Sequence, residues 1–194
     1  MKLPLSAVRQ AGARNVRLIA RLVEHKLNTP PTSSAGRLFD AVAALVGVPG
    51  STRTTYEGQA AIELELAAHG PVDEGYPFVL RPEGETWVVE TGEITEGVVK
   101  DLLSGREIGE ISSRFHRTVA EVVVAGCDRI RAEKGASAVA LSGGTFQNLL
   151  LMEQVLELLV GKGFAVYRHR RVPTNDGGLA LGQAVLANSF VQRG

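Results

Sequence analysis

Residues 137–190 alternate short apolar, β-branched segments with stretches of helical length, and this pattern most limits what the chain can become. Ser137 to Leu141 reads as a strand, Asn148 to Val160 as a Leu-rich helix, Phe164 to Tyr167 as a second strand, and Gly178 to Phe190 as a last helix. Strands alternating with helices predict α/β or α+β packing with a mainly buried sheet.

The first half is mostly helical in pattern. Val8, Ala11, Val16, Ile19, Leu22, Val23 and Leu27 recur at helical spacing between Ser6 and Leu27, and Asn28-Thr29-Pro30-Pro31 stops that helix. A second helix is predicted from Ala35 to Val46, with Thr32, Ser33 and Ser34 as available caps and Gly47 past its end. A third starts near Glu57 and ends before Gly70-Pro71. Pro77 to Leu80 and Thr86 to Val89 form a hairpin around Arg-Pro-Glu-Gly-Glu, with Trp87 packed against it. Ile94 to Leu103 is a short helix. Glu107 to Lys134 is a long one, striped by Ile108, Ile111, Phe115, Val119, Val122, Val123 and Ile130. The segment 70–81 is the only internal boundary the pattern offers.

Composition removes several classes of function. With 44% hydrophobic residues the 194-residue chain has material for a core. Lys plus Arg and Asp plus Glu number 21 each, so no net basic field draws a nucleic-acid backbone. The single cysteine, Cys127, rules out an intramolecular disulfide framework or a Cys-rich zinc site and suits a reducing cytoplasm, where it reads as a small core residue. No signal peptide and no run of about 18 apolar residues is present, so neither export nor a membrane span is expected. His25, His69, His116 and His169 stand far apart, and no pair has the one-turn spacing of a helical metal site.

Four junctions combine small residues with a carboxylate, hydroxyl or amide next to a helix start. In "LSGGTFQN", Ser142, Gly143 and Gly144 lie between strand and helix, where absent β-carbons let backbone approach an anion and N–H groups at the helix start point toward it. A tight strand-to-helix connection is the alternative. In "VPTNDGGLALGQ", Asp176 precedes the last helix, either as its cap or as a hard oxygen donor to a metal. Gly36 and Asp40 share a helical face in "SSAGRLFD", so a ligand could lie on the glycine while Asp40 meets ribose hydroxyls. Glu57 and Gly58 stand at another step into a helix, where Glu57 alone is explained by the helix dipole.

Together "PPTSSAGRLFDAVAALVG", "TYEGQAAIELE", "LSGGTFQNLLLME" and "HRRVPTNDGGLALGQAVLA" resemble the C-terminal part of the HypF family, the carbamoyltransferases of NiFe hydrogenase maturation. The similarity runs from about Asn15 to Asn188, which makes residues 1–194 the second half of a domain similar to the TsaD threonylcarbamoyl-transfer enzymes. The resemblance implies an RNase H-like lobe of the actin, Hsp70 and sugar-kinase (ASKHA) ATP-binding superfamily, with added helices. It implies ATP or carbamoyl-adenylate as ligand and a HypE-like acceptor, whose C-terminal cysteine thiol receives the carbamoyl group.

Carried over by motif, Ser33, Gly36 and Asp40 line the adenosine pocket, with Glu57 and Gly58 beside it. Ser142, Gly143, Gly144 and Asn148 approach the phosphate, and Asp176 is a metal ligand. Ser33 replaces the acidic residue expected in TsaD-type proteins, which favours the HypF side. The family's HxxxH element, its YrdC-like domain and its Cys-rich zinc region have no counterpart here. The resemblance therefore implies part of an enzyme, inactive alone, sharing a divalent metal (Zn, Fe or Mg) with a preceding half-domain. A homo-oligomer formed through exposed apolar surface is a further expectation. The alternatives are a threonylcarbamoyl- or O-carbamoyltransferase relative and a non-catalytic interaction module.

Overall fold

The computed structural model describes residues 5–48 and 54–193. The chain forms two compact units, one reaching to Thr118 and the other starting at Val119. The segment 70–81 lies within the first.

In the first unit, helix α1 (Ser6–Glu24) is interrupted at Gly12, whose backbone is not helical, and buries none of its residues fully. It ends before the predicted Leu27, and Leu18, Ile19 and Val23 are exposed. Helix α2 (Ala35–Val46) is capped by Ser34, whose side chain accepts from the Arg37 N–H, and it buries Phe39, Val42, Ala43 and Val46. Helix α3 (Gln59–Ala67) buries Ala60 and Leu64.

The hairpin pairs β1 (Val79–Glu83) with β2 (Thr86–Glu90), leaving a turn of Gly84 and Glu85. The first strand lies closer to the turn than the predicted Pro77 to Leu80, and the second starts at Thr86 as predicted. Arg81 Nε reaches Glu90 at 2.6 Å across the pair, and Pro82 is tolerated because a two-stranded ribbon has only edge strands. Trp87 is half-buried.

Helix α4 (Gly92–Leu103) contributes Ile94 and Val98, and α5 (Ile108–Lys134) contributes Ile111, Phe115 and, near the division between units, Val119 to the core. Ile108 and Ile130 of the predicted stripe, in the first turn and toward the end of α5, are exposed at 40% and 52%. Tyr76 is buried and donates its hydroxyl to Asp101 at 2.8 Å, while Arg106 and Arg114 both pair with the same carboxylate oxygen. Burial, reinforced by the Asp101 hydrogen bond, pushes the Tyr76 phenol well above its ordinary range.

His116 is packed rather than catalytic. It is fully buried, its Nδ1–H donates to the Ser112 carbonyl at 2.8 Å, and its ring meets Phe39 edge-on at 5.3 Å. Removal from water holds the imidazole below its usual range, against the Ser112 carbonyl and Glu65, which act the other way. A ring kept neutral in the fold but protonated when unfolded contributes stability above the unfolded pKa of about 6.5, and that contribution is lost as pH falls below it. Urea denaturation at stepped pH should therefore show stability declining below about pH 6.5, with a flatter profile in His116→Gln. An identical slope in the variant would show that His116 is not the group responsible.

In the second unit, β3 (Ala138–Leu141) pairs in parallel with β4 (Ala165–Arg168), joined by α6 (Leu149–Gly161), and α7 (Leu179–Arg193) follows. This is the predicted strand–helix–strand unit. The expectation of a mainly buried sheet fails: of β3 and β4 only Leu141 is buried, because two strands give an edge on either side and α6 covers too little. The core of this unit lies on α6, where Leu151, Met152, Val155 and Leu159 are buried, with Phe164 before β4. Arg131 closes it by stacking over Phe164 at 4.0 Å and by meeting Asp128, which also pairs with Lys162. Among the described residues no helix is long and apolar enough to cross a membrane.

Candidate functional site

The first unit contains a cavity of about 570 Å³. Asp40 reaches it from α2, and Glu57 and Gly58 reach it from the step into α3; Arg37 and Tyr56 also line it. Three of the predicted nucleotide-binding residues are thus neighbours, although 17 positions separate Asp40 from Glu57. Gly58 caps α3 with φ 77°, a conformation L side chains adopt rarely, so the glycine permits the sharp entry. Asp40 pairs with Arg37 Nη1 at 3.3 Å and its side chain keeps 35% exposure. Exposed pairs of this kind hold only about 0–1 kcal/mol, so a ligand hydroxyl can recruit the carboxylate without a large penalty. Ser33 is exposed just ahead of the Ser34 cap, and Gly36 sits in the first turn of α2; neither lines the cavity.

The remaining predicted residues belong to the second unit, and two local expectations change there. The Gly143-Gly144 step does not open directly onto α6. A 3-10 turn, Gly144–Gln147, intervenes, and α6 is capped by Asn148, whose Oδ1 accepts from Leu151 N at 2.8 Å. Gly143 has φ 103° and its N–H donates to the Thr174 carbonyl at 2.9 Å, so that donor is engaged by protein rather than offered to an anion. Likewise Asp176 is not the cap. Asn175 Oδ1 accepts from Gly177 N at 3.0 Å, while Asp176 opens the following short turn with its side chain uncommitted to that role. Both changes have one cause: short loops satisfy their backbone donors with the nearest suitable acceptor.

The Gly143–Thr174 bond ties the glycine step to the Asp176 loop. A β-carbon on Gly178 would lie 2.8 Å from the Pro173 carbonyl, so this glycine serves close packing of the loop on itself. Over Gly143 and Gly144 nothing stands within 4 Å of where a β-carbon would be. Ser142 Oγ lies 3.0 Å from His169 Nε2, and both are exposed. His169 is the residue sequence reasoning passed over, since spacing among histidines carries no trace of a serine 27 positions away. The usable signal was its place two residues beyond the predicted strand, which the structure extends to Arg168.

No group of three His, Cys, Asp or Glu side chains that could hold a metal occurs among the described residues. Asp176 is a single oxygen donor, and the residues present do not by themselves fit a metal. Cys127 is half-buried, and burial followed by the neighbouring Asp128 pushes its thiol up, away from the activated thiolate a nucleophile needs.

Residues 2–183 match the family described as carbamoyltransferase, Kae1-like domain, second subdomain. The chain belongs to that family. Among curated relatives of this Kae1-like subdomain is the carbamoyltransferase HypF of Rhodobacter capsulatus, 39% identical over 88% of this chain but only 21% of that protein. The HypF homolog of Cupriavidus necator is 35% identical over 91% of this chain and 45% of its own length. The chain spans about a fifth of the length of the first curated relatives it matches. A crystal structure of full-length HypF in the phosphate- and nucleotide-bound form superposes with a TM-score of 0.86, at 40% identity, over 95% of this chain and 24% of that one. The T. kodakarensis HypF structure, at 24% identity and a TM-score of 0.76, shares the fold. The expected family and its Kae1-like C-terminal domain therefore hold.

Proposed function

We propose that this Kae1-like subdomain is the nucleotide-holding second half of a HypF-type carbamoyltransferase domain, an RNase H-like lobe of the ASKHA type. It binds ATP or carbamoyl-adenylate in the cytoplasm during carbamoyl transfer to the C-terminal cysteine of a HypE-like acceptor. In that transfer the thiol sulfur takes the carbamoyl carbon, the bond from that carbon to the AMP phosphate oxygen breaks, and AMP and a proton leave. The observation that carries the reading is the cavity where Asp40, Glu57 and Gly58 converge, in a chain whose relatives are carbamoyltransferases. Its volume suits a nucleoside, since small-molecule sites run from about 300 to 1,000 Å³.

Within this proposal Asp40 accepts from ribose hydroxyls and Gly58 leaves room beside them in the first unit; in the second unit, Ser142 and the open Gly143-Gly144 step are suited to a phosphate group. Asn148 holds the start of α6, while Ser33 and Gly36 stand at the start of α2. Asp176 is this chain's one oxygen toward a divalent metal, Zn, Fe or Mg, whose other ligands come from a preceding half-domain; a bound metal would supply positive charge beside the phosphates. Isothermal titration with ATP, with and without that half-domain, should give saturable binding that Asp40→Ala weakens at least tenfold, the loss of about one charge-assisted hydrogen bond. Absence of binding even in the reconstituted protein would falsify the assignment.

Exposed apolar helices support the need for that other half. Leu181, Val185, Leu186, Phe190 and Val191 of α7 are each at least half exposed, as are Leu18, Ile19 and Val23 of α1. Apolar surface on this scale asks for cover. Light scattering on the isolated chain should show self-association that the half-domain suppresses. A strictly monomeric chain, indifferent to that addition, would count against it.

A further inference from the structure

The parallel register of β3 and β4 sets Leu141 opposite Arg168, so the residues just past the two strand ends, Ser142 and His169, meet. Their side chains are 3.0 Å apart and exposed. The carboxyl ends of parallel strands are where ligands of α/β sheets bind. Next to this pair lies the open floor of Gly143 and Gly144. With the Gly143 N–H committed to Thr174, the Ser142 hydroxyl is the side-chain donor that stands beside that floor.

The Ser142–His169 hydrogen bond has two possible directions with opposite consequences. If His169 Nε2 accepts, the serine proton points into the ring and the serine presents lone pairs outward, which repel an anion. If His169 Nε2–H donates to Ser142 Oγ, the serine proton is released toward a ligand oxygen. An anionic oxygen therefore selects the second arrangement.

We propose that His169 is a positioning residue that donates to Ser142 Oγ and so turns the serine hydroxyl onto a phosphate oxygen lying over Gly143 and Gly144. The inference rests on the nucleotide reading above for the source of that phosphate, but its chemistry requires only a phosphate or diphosphate group. It adds His169 to a site in which that residue has no other role.

The test uses the whole chain with inorganic pyrophosphate as probe, and ATP in parallel. Pyrophosphate should move the His169 ring nitrogen-15 signals toward the Nε2–H form. Ser142→Ala and His169→Ala should each weaken pyrophosphate about tenfold, the loss of one hydrogen bond to a charged group. The double variant should lose no more than either single one, and His169→Gln, which keeps an N–H donor, should recover most of the affinity.

Unchanged affinity in His169→Ala, or losses that multiply in the double variant, would overturn the proposal. If ATP binding is lost in Asp40→Ala yet untouched in His169→Ala, the nucleotide reading survives and the relay falls. If pyrophosphate behaves as expected and ATP gains nothing over it, the relay survives and the nucleotide reading falls. A chain that binds neither probe, alone or reconstituted with the preceding half-domain, overturns both.

Discussion

Phe115→Ala should remove about 3–5 kcal/mol of stability from the first unit, the range for truncating a fully buried aromatic. Phe115 is completely buried on α5 and meets the Phe39 ring edge-on at 4.9 Å. Those two rings fix α2 against α5. Asp40 follows Phe39 directly, so loosening that contact should also weaken any ligand held by Asp40. Urea denaturation reads the first effect and ATP titration the second. Phe115→Leu keeps most of the volume and should cost far less; equal losses from both variants would mean that the ring contact with Phe39, not the filled volume, is what holds the two helices.

Gly109→Ala is the second large effect, and here two rules disagree in sign. In a helix, alanine is favoured over glycine by about 1 kcal/mol. At this position, however, a β-carbon would run into the His69 ring and lie 2.6 Å from the Ala67 carbonyl oxygen. His69 N–H donates to the Gly109 carbonyl at 3.3 Å and Ser113 Oγ donates to the His69 carbonyl at 2.9 Å, so the 67–69 segment is held in place and cannot easily withdraw. Overpacking costs about 1–3 kcal/mol and should outweigh the propensity gain. Thermal denaturation decides it: a lowered midpoint is expected, and a raised one would show that the loop yields.

Much of the local structure was legible because it depends on neighbours in sequence. The bounds of α2 with a cap among Thr32, Ser33 and Ser34, the hairpin, and the strand–helix–strand pattern of β3, α6 and β4 all follow from periodicity and turn residues. The four motifs that carry the family resemblance include Asp40, Glu57 and Gly58, which line one cavity. The misreadings sit where a local rule had a competitor. Gly143-Gly144 has the composition of a helix-start anion site, yet its N–H is taken by Thr174, 31 residues later. The α1 stripe has the period of a buried face, yet none of its residues is fully buried among the described residues.

By itself the sequence determined which segments are helix or strand, and to which family they belong, since backbone geometry acts over three or four residues and motifs are contiguous. Only the tertiary structure decided that Ser142 meets His169, that Gly109 lies under His69, and that Asp40 faces the Glu57-Gly58 step. Those juxtapositions depend on strand register and on how helices pack, which are set by burial and hydrogen bonding between residues distant in the chain.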